Sequence, residues 1–330
     1  MYTICVIPGD GIGQEVTPEA VRVLEATGLK FAFSYAEAGW ATFEKRGTSV
    51  PDDTLNAVTA SDATLAGAFT SPSHKVPGHS GAIRYLRRKL ELFANLRPAK
   101  TRPVPDAAPG VDMLMVRENT QGLYVEQERR YEGVAIADAV VSRAASERIA
   151  RVALEQARSR RKKLAVIHKA NVLPVTSGLF LETALEVAGG FPDVETYDVI
   201  VDAAAMKLVR QPESFDVLVS TNLFGDILSD LMAGIVGGLG LAPSANLGER
   251  YAIFEPVHGS APDIAGRGVA NPSAAILTGA MLLAHLGERE AAERVEAAVN
   301  AVLERGPLTA DLGGKADTRT FTDAVLDALG

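Results

Sequence analysis

Asp226 and Asp230 lie four residues apart in the stretch 216–230, DVLVSTNLFGDILSD. It opens as a buried strand over Val217-Leu218-Val219 and passes through Ser220-Thr221-Asn222 into a helix. On a helix, side chains at i and i+4 share a face, with Cβ atoms roughly 5–6 Å apart. Carboxylates that close repel each other unless a cation lies between them, and paired oxygen ligands suit Mg²⁺ or Mn²⁺. The spacing also fits a plain helix start, with Asp226 near the positive end of the dipole and Asp230 solvated. The segment by itself leaves both open.

Other residues have comparable potential. Arg87, Arg97 and Arg117 each border a predicted element. Guanidinium forks clamp carboxylates two N–H groups at a time, although each arginine singly could also make a surface ion pair. Lys169 ends a predicted strand and Asn171 follows it, a common position for site residues in α/β folds. A lysine there acts as a base once burial and charge lower its pKa, or simply snorkels to water. Tyr124 is a proton donor or a packing ring, and Asp202 is a third acid beside Asp226 and Asp230.

The elements that must position these groups alternate. A strand over 4–7 leads into Gly9-Asp10-Gly11-Ile12-Gly13, a helix over about 14–26 and a strand over 31–36, an α/β pattern. The dinucleotide fingerprint needs its third glycine at position 14, which is Gln14, so no Rossmann site is expected despite Glu37 near the ribose-acid position. A strand over 63–69 precedes a breaker-rich loop over 70–78. A basic helix over 82–93 carries Arg84 and Arg87 and ends at Asn95-Leu96-Arg97-Pro98. The proline-rich run 102–110 reads as a crossing between lobes. Residues 128–141 alternate around Glu132-Gly133 as a hairpin arm. Strands over 113–116, 164–167, 197–201 and 217–219 intersperse with helices over 143–159, 176–187 and 203–210. The stretch 254–263 reads as a loop, Asn271-Pro272 as a helix cap and first position, and further helices close the chain.

The 330 residues are 47% hydrophobic and 22% charged, enough for a large core in two lobes, and the net charge of −8 argues against a nucleic-acid surface. The single cysteine, Cys5, excludes an in-chain disulfide or cysteine zinc site. The N-terminus MYTICVIPGDG lacks a basic, apolar leader, and no apolar run approaches membrane-spanning length, so a cytoplasmic chain without membrane association is expected.

Seven pieces in order then resemble one family, the metal-dependent β-decarboxylating dehydrogenases that act on isocitrate, 3-isopropylmalate, tartrate and homoisocitrate. They are Gly9-Asp10-Gly11-Ile12-Gly13, the run 92–98, Arg117-Glu118-Asn119-Thr120, Lys169-Ala170-Asn171, Val201-Asp202, the run 225–230 and the run 255–262. The resemblance implies a substrate with a 2-hydroxy acid and a second carboxylate at C3. Mg²⁺ or Mn²⁺ would be held by Asp226, Asp230 and the partner subunit's Asp202. Arg87, Arg97 and Arg117 would hold carboxylates, including the one lost as CO₂, with Asn171 also at the substrate. The partner's Lys169 would be the general base, and Tyr124 would help protonate C3. His258, Gly259, Ser260, Ala261, Asp263, Ile264 and Asn271 would line the cofactor. Members that use NADP look like Lys-Tyr where this chain has Asp263-Ile264, a carboxylate that accepts from ribose hydroxyls and repels a 2′-phosphate, so NAD is expected.

Within the family, Gly81-Ala82-Ile83-Arg84-Tyr85-Leu86-Arg87-Arg88 and the run 125–131 are similar to homoisocitrate dehydrogenases. Arg84 stands one turn before Arg87 and would pair with the distal carboxylate of a tricarboxylic acid. Gln121 departs from the glutamate of near relatives, and Ala203 replaces an asparagine seen in some members.

The implied fold is α/β: a two-lobed, isopropylmalate dehydrogenase-like fold with a central mixed sheet spanning both lobes, not a Rossmann fold. Residues 1–98 and 253–330 would form a larger cofactor-binding domain, and 99–252 a smaller dimerisation domain with an arm at about 125–142. The expected function is NAD- and Mg/Mn-dependent conversion of homoisocitrate to 2-oxoadipate, in lysine biosynthesis through 2-aminoadipate. The expected assembly is a homodimer with shared sites, or a dimer of dimers. Isocitrate and 3-isopropylmalate are the rival substrates, and a non-catalytic regulatory subunit is the rival of another class.

Overall fold

A computed structural model describes every residue except Lys75, so that part of the 70–78 loop lies outside the described residues. The chain divides into two compact units. Residues 1–91, 102–107 and 237–330 form the first, and 92–101 with 108–236 the second.

The first unit opens with β1 (Tyr2–Ile7), whose Ile4, Cys5, Val6 and Ile7 are wholly buried. It pairs in parallel with β2 (Phe31–Tyr35) on one side and β3 (Ala63–Ala66) on the other. Helix α1 (Gly13–Ala26) buries Val16, Ala20, Val23 and Leu24 on one stripe. Two short helices that periodicity had not flagged follow, α2 (Trp40–Arg46) and α3 (Asp52–Thr59). The Gly9–Gly13 turn is a packing junction. Added Cβ atoms would meet the carbonyl oxygen of Ala68 at 2.2 Å from Gly9, of Ser260 at 2.0 Å from Gly11 and of Pro8 at 2.3 Å from Gly13. Buried Asp10 accepts the Trp40, Ala41 and Thr70 N–H groups and so anchors the start of α2.

Helix α4 (Ala82–Lys89) is shorter than the 82–93 expected. Glu91 turns into the left-handed region at φ 51°, and residues from Ala94 onward form β4 (Ala94–Lys100) instead of a helix end. The four basic residues of 84–89 gave a helical pattern that says nothing of where it stops.

In the second unit, β4 runs antiparallel to β5 (Asp112–Glu118). A hairpin, β6 (Glu128–Tyr131) and β7 (Val134–Ala137), has all its residues exposed. There follow α5 (Arg143–Arg158), β8 (Lys163–His168), α6 (Thr176–Ala188), β9 (Glu195–Ile200), α7 (Val201–Arg210), β10 (Val217–Ser220) and α8 (Asn222–Ile235). Strand β10 lies parallel to both β5 and β8, and β8 lies parallel to β9. The unit's core joins Met113 and Met115 of β5, Ile167 of β8 and Leu218 of β10 to Leu228 and Met232 of α8.

The chain returns to the first unit through β11 (Pro243–Leu247) and β12 (Ala252–Pro256). Strand β12 is antiparallel to β11 and parallel to β3, so Phe254 and Glu255 are strand residues, not the loop expected. Helix α9 (Ser273–His285) is apolar and buried on nearly all sides, and α10 (Arg289–Arg305) and α11 (Thr318–Leu329) complete the unit. Helix α9 begins one residue later than Asn271-Pro272 implied, yet Asn271 Oδ1 still accepts the Ser273 N–H at 2.9 Å.

The sequence placed domain edges at 98/99 and 252/253; the compact units meet at 91/92 and 236/237. Pairing explains the difference, because β4 belongs with β5 and β11 with β12. The proline-rich run also divides. Residues 102–107 stay with the first unit, where buried Arg102 donates to Glu296 and Asn300 of α10 at 2.9 and 3.0 Å.

Candidate active site

The acids and arginines of the second unit converge because strand and helix periods agree. Alternation along β4 puts Asn95 and Arg97 on one face, and Asn95 registers with Arg117 of β5. Helix α8 presents Asn222, Asp226 and Asp230 at successive i+4 positions. It can lie close to β5 because residue 225 is glycine: a Cβ there would stand 2.8 Å from Arg117 Cγ.

Arg117, 1% exposed, sends Nε and Nη2 to Asn222 Oδ1 and Nη1 to Asp226 Oδ1 at 2.5 Å. The Tyr124 ring packs against its guanidinium, and the Tyr124 hydroxyl donates to Asp226 Oδ2 at 2.5 Å. Arg97 Nε donates to Asn95 at 2.7 Å and Nη1 to Ser229 at 2.8 Å. The same Nη1 lies 3.1 Å from Asp226 Oδ1 and 3.2 Å from Asp230 Oδ1.

One cationic nitrogen thus already sits against both carboxylates, which is what a divalent ion shared by them requires. The ligand atoms the pair offers are carboxylate oxygens, which fit Mg²⁺ or Mn²⁺. Partial burial raises the Asp230 pKa, Arg97 opposes that shift, and neighbouring Asp226 adds to it. A cation would relieve this cost of two adjacent negative charges.

Lys169 and Asp202 form a separate ion pair, with the Asp202 side chain 69% exposed. The hydrogen bond from Lys169 holds the Asp202 carboxyl below the usual range. The Lys169 backbone N–H is fixed by Ser177 Oγ at 2.9 Å, and Asn171 is exposed on the turn that follows. Among the described residues, no three or more His, Cys, Asp or Glu gather where they could hold a metal ion. Among the described residues, Asp226 and Asp230 therefore have no third acidic ligand within one chain.

On α4 in the first unit, Arg87 is buried and donates to Asn246 Oδ1 at 2.9 Å and Glu255 Oε1 at 3.0 Å. Arg84 is half-buried. Its guanidinium folds over residue 81, where a Cβ would approach Nε to 3.0 Å, so glycine at 81 leaves it room.

The 258–271 stretch is held chiefly through its backbone. Ser260 gives its carbonyl to the Ile12 N–H at 2.9 Å and its hydroxyl oxygen to Thr70 at 2.7 Å. Ala261 sits at φ 38°, and its carbonyl receives the N–H groups of Ile264 and Ala265. Glu15 of α1 accepts the N–H groups of Gly266 and Gly268 at 2.5 and 2.8 Å. Gly259 and Asp263 are exposed, and Ile264 is half-buried. Asn271 is buried and donates to Asp311 at 3.0 Å. His258 Nε2 is shielded and makes no hydrogen bond, while burial lowers the ring's pKa. An unpaired buried ring nitrogen and an outward carboxylate suit a ligand with both donors and hydroxyls, as a dinucleotide has.

Three supporting residues were not singled out from sequence. Asn222 had a signal, its i−4 spacing from Asp226. Glu15 and Asn246 act through partners distant in sequence, with no local pattern. Gln121 donates to Ser142 Oγ and accepts the Ser142 N–H, both at 2.9 Å, a pairing that uses both ends of its amide.

Comparison with known proteins bears on the whole chain. The family model for isocitrate/isopropylmalate dehydrogenase matches residues 3–325. An isocitrate/homoisocitrate dehydrogenase of Thermus thermophilus is 67% identical over 329 residues, covering 99% of this chain and 98% of that protein. A 3-isopropylmalate dehydrogenase of Archaeoglobus fulgidus is 51% identical over 331 residues, covering 100% of each. The crystal structure of isocitrate dehydrogenase from Methylococcus capsulatus superposes with TM-score 0.96 at 47% identity, covering 100% of this chain and 99% of that one. The mixed α/β fold is the one the resemblance implied.

Proposed function

The chain belongs to the isocitrate/isopropylmalate dehydrogenase family of β-decarboxylating enzymes, and we propose that its substrate is homoisocitrate, converted to 2-oxoadipate with NAD and Mg²⁺ or Mn²⁺. Isocitrate is a second substrate on this reading, supported by the double name of the Thermus thermophilus relative. The observation that carries the reading is the convergence of Arg97, Arg117 and Tyr124 on Asp226, beside Asp230.

Asp226 and Asp230 would hold the cation, with the partner subunit's Asp202 as a third ligand. The bound cation supplies Lewis-acid stabilisation of negative charge on the substrate oxygen. Asp263 would face the ribose hydroxyls of NAD, which would supply the hydride acceptor for C2. Arg97 and Arg117 donate to substrate carboxylates, and their burial makes those hydrogen bonds strong. The partner's Lys169 takes the hydroxyl proton. Tyr124, half-buried, delivers its phenolic proton to C3 after CO₂ leaves. Arg87, though paired with Glu255, and Arg84 are assigned to the remaining carboxylates, Arg84 to the distal one. Asn171 is assigned to the substrate, and His258, Gly259, Ser260, Ala261, Ile264 and Asn271 to the dinucleotide.

A homodimer sharing its sites is supported by the exposed hairpin, with Tyr131 59%, Val134 54% and Ile136 37% exposed. A two-stranded ribbon is marginal without something to pack on. Retention of Tyr124, Lys169, Asp202, Asp226 and Asp230 speaks against a non-catalytic subunit. No helix among the described residues is long and apolar enough to cross a membrane.

The test is NADH production on homoisocitrate, isocitrate and 3-isopropylmalate, with Mg²⁺ and with excess chelator. The two tricarboxylic acids should be preferred, and chelation should abolish turnover. Preference for isopropylmalate would refute the substrate, and turnover without metal would refute the roles of Asp226 and Asp230.

A further inference from the structure

We propose that Asn222 is a positioning residue for this reaction, setting the aim of Arg117 and the seat of Tyr124 together. The inference rests on the reading of Arg117 as a carboxylate clamp. Asn222 is 1% exposed at the first position of α8. Its Oδ1 accepts Arg117 Nε at 3.0 Å and Nη2 at 2.7 Å, and its Nδ2 donates to the Gln121 carbonyl at 3.1 Å.

These bonds fix two different things. Holding Nε and Nη2 sets the plane of the guanidinium, which sends Nη1 to Asp226. Holding the Gln121 carbonyl fixes the segment that enters the turn Leu123–Val125, where Tyr124 lies against the same guanidinium. Gln121 is clasped from its other end by Ser142, the cap of α5, and Gly122 bridges to Val140. The arginine, the tyrosine segment and the root of the hairpin are thus tied through one amide.

The amide's neutrality matters as much as its geometry. Arg97 and Arg117 face Asp226 and Asp230, two positive charges against two negative. An aspartate at 222 would keep both acceptor contacts to Arg117 but add a third carboxylate, competing with a substrate carboxylate for the same guanidinium. It would also leave the Gln121 carbonyl without its donor.

The experiment compares wild type, Asn222→Asp and Asn222→Ala as full-length enzyme with Mg²⁺ and NAD. The readouts are KM and kcat on homoisocitrate and isocitrate, calorimetric binding of isocitrate with Mg²⁺ alone, and Tm. Asn222→Asp should raise KM and weaken isocitrate binding by at least about tenfold, the weight of one charge-assisted hydrogen bond, while Tm falls less than in Asn222→Ala. Asn222→Ala should lower kcat as well, since Arg117 and the Tyr124 segment both lose their tether. Unchanged KM and binding in Asn222→Asp, beside an active wild type, would overturn the inference alone. So would equal losses in both variants that track Tm, the mark of a merely structural amide. Wild type inactive on every acid would overturn the functional reading and this inference with it.

Discussion

The cluster on β4, β5 and α8 is held by side chains, whereas the 258–271 stretch is held by its backbone. Arg97 and Arg117 are buried and reach Asn95, Asn222, Ser229, Asp226 and Asp230 through charged hydrogen bonds. In the other stretch, Ser260, Ala261, Gly266 and Gly268 are fixed by main-chain atoms, and the Asp263 side chain points to water. Changing a side chain in the first breaks a buried network. Changing Asp263 would leave the loop's path alone and alter only what the loop reads on our assignment.

The contrast is most directly broken by Arg117→Ala. It should cost roughly 10²–10³-fold in turnover, as for loss of a donor that stabilises reacting charge. It should also destabilise the fold by about 3–5 kcal/mol, because Asp226 and Asn222 lose a buried partner. Turnover at varied substrate and denaturant unfolding check both parts; an unchanged unfolding free energy would contradict the network view. Arg84→Val comes next. Its half-buried guanidinium reads the distal carboxylate on our assignment, so discrimination between tricarboxylic acids and isopropylmalate should fall by about 1–3 kcal/mol with little change in Tm. Competing-substrate assays measure this, and an unmoved ratio would remove Arg84 from the specificity set.

A smaller effect is expected from Glu15→Gln. The variant keeps one acceptor for the Gly266 and Gly268 amides but loses the charge, so KM for NAD should rise by roughly tenfold or less while kcat at saturating NAD holds. A change in kcat alone would show that Glu15 does not act through the loop.

The smallest effect concerns His285, packed against Phe254 with ring centroids 5.3 Å apart. Burial depresses its pKa, so the folded state favours the neutral ring and the unfolded chain takes up a proton first as pH falls. The associated stability is present above the unfolded value of about 6.5 and is lost as pH drops through the folded one. His285→Phe should flatten the loss of Tm on acidification; an identical slope would assign that loss to His79 and His258, which burial shifts the same way.

Several elements were legible because one local rule governed them. The apolar run of β1, the stripe of α1 and the turn at Glu132-Gly133 each match what is built. Strand β4 was not, since Asn95, Arg97 and Pro98 make a poor strand pattern and its place depends on pairing with β5. The same holds for β11, whose Ser244 and Asn246 are buried polar residues made tolerable by hydrogen bonds to β12.

By itself the sequence determined the i+4 ladder of Asp226 and Asp230, the family, and the residue types available for the chemistry. Spacing on one helix is a local property, and ordered motifs survive without coordinates. Only the tertiary structure decided that Arg97 and Arg117 reach that ladder, that Arg87 turns to Glu255, and that Lys169 pairs with Asp202 away from it. Those outcomes depend on strand register and on how closely α8 packs over Gly225, and neither is written in any single stretch of residues.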